Sequence, residues 1–160
     1  MNLKYIIPAL LVSSVALAQT SASGYVFEDS NKNEKKDNRE KGLENVAVSN
    51  GVQVVKTDKN GKYSLHVIDG QTIFVIKPSG YQVPLSENNL PKYYYQYKPN
   101  GSPSHFEYKG SLPTGALPKE INFPLNKQNE SKNFDILVFG DPQPKTAKEL
   151  DYFKRGIVNE

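Results

Sequence analysis

Short stretches that alternate apolar and polar residues, each closed by a turn signal, recur along most of this chain, and that rhythm constrains its fold most. Gly24 to Phe27 alternates and reads as a first strand. Val46–Val48 and Val52–Val55 follow as short β segments. Lys62 to Val67 puts Tyr63, Leu65 and Val67 on one face and Lys62, Ser64 and His66 on the other. Ile73–Ile76 ends at Pro78-Ser79-Gly80, and Ile121–Leu125 supplies a closing strand. Asp58-Lys59-Asn60-Gly61 carries Asn-Gly, the strongest short hairpin signal. Strands at roughly 8–12-residue spacing predict an antiparallel sandwich. Its expected core is Tyr25, Phe27, Val46, Val48, Val54, Tyr63, Leu65, Ile73, Val75 and Phe123.

Composition agrees. Hydrophobic content is 37%, with 11 Pro, 11 Gly and 10 Tyr, which suits a polar, loop-rich β domain. A net charge of +3 with no long basic tract argues against nucleic acid as a partner. Met1 to Ala18 reads as a secretory signal peptide. Lys4 gives the positive region, Tyr5–Val12 with Val15–Leu17 the apolar region, and Ala16-Leu17-Ala18 the small-x-small cleavage site. The apolar run is short and broken by Ser13 and Ser14, so no membrane span is expected after cleavage. An exported product, periplasmic or extracellular, is the expected outcome. It contains no Cys, so its stability must come from its core or from a metal.

From Tyr81 to Pro118 the chain is rich in Pro, Asn, Gly and Tyr and reads as a long excursion with one or two edge strands. Tyr93-Tyr94-Tyr95 suits a half-buried strand or a domain interface, and otherwise a group that stacks on sugar or lines an active-site rim. His66 and His105 sit on alternating segments, His66 on the solvent face. Residues 127–133 are polar throughout and read as a linker. Ile136-Leu137-Val138-Phe139 then runs into Gly140-Asp141-Pro142-Gln143-Pro144. That is the pattern of a fully buried strand delivering a carboxylate and an amide at its C-terminal end, where α/β sheets place ligands. Asp141 also suits a plain turn cap before Pro142. Thr146-Ala147-Lys148-Glu149 has capping-box spacing, and Leu150, Phe153 and Ile157 give one helical face. Glu160 falls inside that helical pattern, so a truncated unit is expected.

Asp29, Asn31, Asn33, Asp37 and Glu40 occupy the first, third, fifth, ninth and twelfth places of a twelve-residue stretch. This is the ligand spacing of an EF-hand calcium loop, whose oxygens suit hard Ca²⁺. The sixth place, normally Gly, is Glu34, and Lys32, Lys35, Lys36 and Arg39 dilute the negative charge. A calcium loop and a solvated polar loop both remain open at this point.

The stretches Gly24-Tyr25-Val26-Phe27-Glu28-Asp29-Ser30-Asn31-Lys32-Asn33, Glu40-Lys41-Gly42-Leu43-Glu44-Asn45-Val46-Ala47-Val48 and Thr57-Asp58-Lys59-Asn60-Gly61-Lys62-Tyr63-Ser64-Leu65 resemble SdrD B-like domains. That resemblance implies an immunoglobulin-like sandwich of an exported bacterial protein, in some members calcium-stabilised. With Gly140-Asp141-Pro142-Gln143 added, the mature chain resembles calcineurin-like metallophosphoesterases that carry an N-terminal sandwich. The family's first motif is Gly-Asp-x-His. Asp141 matches its metal-ligand Asp, and Gln143 stands where it has His. The resemblance implies two divalent metal ions that clamp a phosphate ester substrate and activate a water. It also implies further ligands in Gly-Asp-x-x-x-Asp, Gly-Asn-His and two late His motifs, none of which occurs here.

The expected organisation is therefore a signal peptide over residues 1–18, a β-sandwich over 19–126, a linker over 127–133, and the incomplete start of a phosphoesterase domain over 134–160. The fold class is mainly β: an immunoglobulin-like antiparallel sandwich followed by a truncated first β-α unit. Alone, such a chain is expected to be inactive. The alternative is a secreted, non-catalytic binding module, calcium-stabilised through Asp29 to Glu40.

Overall fold

Alternating apolar side chains need two faces to bury against each other, and a computed structural model of the chain shows them doing so in two sheets. It describes residues 20–158 apart from Leu137 and Phe139. The signal-peptide reading of Met1 to Ala18 lies outside the described residues. The chain forms two units, one up to Glu130 and one from Ser131.

The first unit is the sandwich. Its strands are β1 (Ser21–Glu28), β2 (Ala47–Ser49), β3 (Val54–Lys56), β4 (Lys62–His66), β5 (Thr72–Ile76), β6 (Tyr81–Gln82), β7 (Tyr94–Gln96) and β8 (Phe123–Lys127). One four-stranded sheet has the order β4-β1-β8-β6 and the other β3-β2-β5-β7. Pairing is antiparallel except that β8 runs parallel to β1, with Val26 opposite Phe123. The two sheets close on one core that includes Ala22, Val26, Val48, Leu65, Ile73 and Leu125. Tyr63 stacks on Phe123 with ring centroids 5.9 Å apart. Its hydroxyl donates to Ile121 O at 2.6 Å, so the one polar atom of a buried ring is satisfied. Burial raises the Tyr63 hydroxyl pKa.

Several expectations need correction. Tyr25 is only half-buried and Val54 is exposed, because β1 turns Ala22, Gly24 and Val26 inward while the neighbour of Val54, Val55, packs on the core. Phe27 is fully buried as expected, on the opposite face of β1 and outside the main cluster. The Asp58–Gly61 turn forms, with Asp58 N donating to Lys62 O and Gly61 N to Asp58 O, each at 2.9 Å. However, β3 before it pairs with β2 and β4 after it with β1, so the turn is a corner between sheets and not a paired hairpin. Finally, the backbone stays bonded beyond residue 127, where the linker is expected to begin. Lys127 pairs with Tyr81, Gln128 N donates to Gly80 O at 2.9 Å, and Glu130 is bound to Lys77, Ser79 and Gly80.

Two glycines of the resembling stretches meet at that corner. A Cβ on Gly42 would lie 1.9 Å from Asn60 O, and one on Gly61 2.3 Å from Val26 O. Gly61 also has φ +78°, where side chains are strained. The backbones of two segments can approach this closely only without side chains.

The long excursion contributes two edge strands, β6 to one sheet and β7 to the other. His105–Tyr108, despite its alternation, forms no strand.

In the second unit, α1 (Ala147–Phe153) starts with the expected capping box. Glu149 N donates to Thr146 Oγ1 and Thr146 N to Glu149 Oε2, both at 3.2 Å. A π-helical turn, Lys154–Val158, follows. The buried strand expected from Ile136 is not seen: Ile136 and Val138 are exposed and outside any strand, and Leu137 and Phe139 lie outside the described residues. A buried strand needs neighbours to take its backbone hydrogen bonds, and the described residues of this unit hold no other strand.

Candidate functional sites

The oxygen-rich loop grows out of the end of β1. Asp29 N donates to Leu125 O at 3.0 Å, and Asp29 itself is buried. Its carboxylate accepts from Asn33 N at 3.2 Å and Glu34 N at 2.9 Å. Asn31 Oδ1 also accepts from Asn33 N at 3.1 Å, and Asn33 Oδ1 accepts from Lys35 N at 2.7 Å. The two amide nitrogens converge on Asp37 Oδ2, at 2.8 Å from Asn31 and 3.0 Å from Asn33. Glu40 closes the ring, accepting from Ser30 N and Asp37 N, both at 3.0 Å. All five residues picked out by spacing therefore belong to one hydrogen-bonded loop.

The backbone completes this picture. Lys32 and Glu34 have φ of 60° and 61°. Glu34 thus adopts the left-handed turn that glycine makes at the sixth place of such loops, at the strain a side chain carries there. Its carboxylate is held by Lys92 Nζ at 2.8 and 3.0 Å. Lys36 Nζ donates to Glu40 O at 2.7 Å and lies 5.7 Å from the Phe27 ring centroid. The loop folds back over Phe27, which pairs with Gly42. Spacing pointed to the oxygens. Nothing local in the sequence announced Lys36 or Lys92 as partners.

An all-oxygen donor set fits a hard cation such as Ca²⁺. Among the described residues no three His, Cys, Asp or Glu side chains group as a metal site. A cation here would draw on Asn31 and Asn33 oxygens together with Asp29, Asp37 and Glu40, and Lys36 already supplies positive charge beside them.

The Gly140–Gln143 stretch is exposed. Asp141 has φ 52°, and its Oδ2 accepts from Gln143 Nε2 at 2.8 Å. The structure thus brings the two predicted ligands together, with the amide nitrogen, a donor, turned to the carboxylate. One carboxylate and one amide cannot hold two metal ions, and His66 and His105 both belong to the first unit. The residues present do not fit a two-metal centre by themselves.

Comparison with known proteins fixes the family. Residues 29–111, just over half of the chain, match the N terminal of calcineurin-like phosphoesterase, and the chain belongs to that family. A stretch of 65 residues is 45% identical to serine-aspartate repeat-containing protein D of Staphylococcus aureus strain Newman, and equally to that of strain MW2. That match covers 36% of this chain, which spans about 5% of the length of those relatives. No helix among the described residues is long and apolar enough to cross a membrane.

Proposed function

We propose that this chain is the N-terminal portion of an exported, metal-dependent phosphoesterase, with the sandwich preceding the catalytic domain. The family match over residues 29–111, followed by Gly140-Asp141-Pro142-Gln143, carries this reading. In it, Asp141 and Gln143 are the first ligands of a two-metal centre whose remaining ligands lie on further strands. The substrate is a phosphate ester. Met1 to Ala18 directs export, and calcium stabilises the loop through Asp29, Asn31, Asn33, Asp37 and Glu40.

The test is hydrolysis of p-nitrophenyl phosphate and bis(p-nitrophenyl) phosphate by the full-length gene product with Mn²⁺. Activity lost in Asp141→Asn and on chelation supports the reading, and a full-length product inactive on both esters counts against it. N-terminal sequencing of the product recovered outside the cytoplasm should begin at Gln19. A second reading is a non-catalytic surface module. It is favoured by the similarity to serine-aspartate repeat-containing protein D and by the closed oxygen loop. A full-length product with no downstream Gly-Asn-His would favour it.

A further inference from the structure

Residues 98–115 leave the edge of β7 and close on themselves. Lys98 N donates to Thr114 Oγ1 and Thr114 N to Lys98 O, both at 3.0 Å. A second rung follows, with Ser102 N donating to Ser111 O and Ser111 N to Ser102 Oγ, both at 2.9 Å. Above this neck the loop borders an open depression of about 500 Å³ lined by Asn100, Ser102, Ser104, Phe106, Tyr108 and Ser111 among others. Phe106 is 55% exposed and Tyr108 80%. His105 sits edge-on to the Phe106 ring at 5.1 Å. The side chains of Asn100, Ser104 and Tyr108 make no hydrogen bond to another described residue.

We propose that this loop depression binds a neutral oligosaccharide. The lining pairs exposed aromatic rings with hydroxyl and amide groups that have no protein partner, which is what a ligand with both C–H faces and hydroxyls needs. The charged residues of the lining are Glu107 and Lys109, of opposite sign and nearly adjacent, so the depression has no net field to recruit a polyanion or a cation. The uncommitted hydrogen-bonding groups distinguish it from a purely apolar patch, where a ligand's hydroxyls would lose their water partners without replacement.

The experiment is retention of the 160-residue chain on an array of neutral glycans, with sulfated and sialylated glycans and a decaproline peptide alongside. Binding to neutral glycans is expected, with amide shift changes confined to 100–113. Tyr108→Ala and Phe106→Ala should each weaken binding about tenfold, the scale of one aromatic contact, with an unchanged melting temperature. The proposal is overturned if no neutral glycan is retained or if only charged glycans or decaproline bind. Binding that survives both substitutions equally overturns it.

Discussion

Glu34 and Lys92, 58 residues apart, are joined by two short contacts, Nζ to Oε1 at 2.8 Å and to Oε2 at 3.0 Å. The glutamate that breaks the calcium-loop pattern is thus the residue tying the loop to the segment before β7. Both side chains are substantially exposed, 47% for Lys92 and 41% for Glu34, so the pair contributes at most about 1 kcal/mol. The left-handed φ costs a non-glycine residue roughly 1–2 kcal/mol. Glu34→Gly should therefore be about as stable as the wild type or slightly more so. Glu34→Ala keeps the strain and loses the pair, and should fall about 1 kcal/mol below Glu34→Gly. Urea unfolding of the three proteins decides it; an alanine variant as stable as the glycine variant would show that φ strain is not the governing cost.

Lys36 bears on the calcium reading. Its ammonium lies on the Glu40 backbone carbonyl, next to a residue whose carboxylate calcium would use. Calcium binding to the folded loop should raise the melting temperature with concentration, and Glu40→Gln should abolish the rise. Lys36→Met keeps an apolar stem over Phe27 and removes the competing charge. It should tighten calcium binding about fivefold, the scale of roughly 1 kcal/mol for close charges at the surface, and lower stability in chelator. A melting temperature unmoved by millimolar Ca²⁺ would count against a cation at Asp29 to Glu40.

How much of this was legible in the sequence follows from range. Tyr63, Leu65, Ile73 and Val75 were readable because strand alternation is a local rule, and the structure buries all four. The five loop oxygens were readable because their spacing is local too. Phe27 is buried as expected, but beside a loop that returns at Gly42 and outside the main cluster, which alternation alone does not tell. The turn at Asp58–Gly61 was legible, but which sheet each flanking strand joins depends on partners far along the chain. The ion pair of Glu34 lies beyond any local pattern for the same reason. Ile136 and Val138 are exposed, in line with a strand's need for neighbours to take its backbone hydrogen bonds.

Glu130 gives a pH-dependent prediction. Its side-chain bond to Lys77, then the Gly80 N–H and the Ser79 hydroxyl, lower its pKa from 4.5 to about 2. Because the folded value is depressed, the contribution of this carboxylate is fully present above about pH 4.5. It is lost as pH falls through about 2. Glu130→Gln should accordingly be less stable than the wild type at neutral pH, with the difference shrinking below pH 4.5 and vanishing near pH 2. Melting curves across that range read it directly, and a difference independent of pH would remove the charge from the explanation.

The same anchor determines where the sandwich ends for a protease. Lys127 lies within β8, paired with Tyr81, and the chain is held as far as Glu130 by Gly80 and its neighbours. Lys132 is exposed and follows the boundary between the two units. Cleavage needs a chain free to enter the protease as an extended segment, so backbone bonding and not polarity selects the site. Limited trypsin digestion should cut after Lys132 well before Lys127 and leave a sandwich that ends beyond Glu130. Glu130→Gln, which weakens the anchor, should expose Lys127 to cleavage at lower trypsin, most clearly above pH 4.5 where the wild-type carboxylate is charged. First cleavage at Lys127 in the wild type would mean that the strand, and not the stretch after it, is the loose end of the domain.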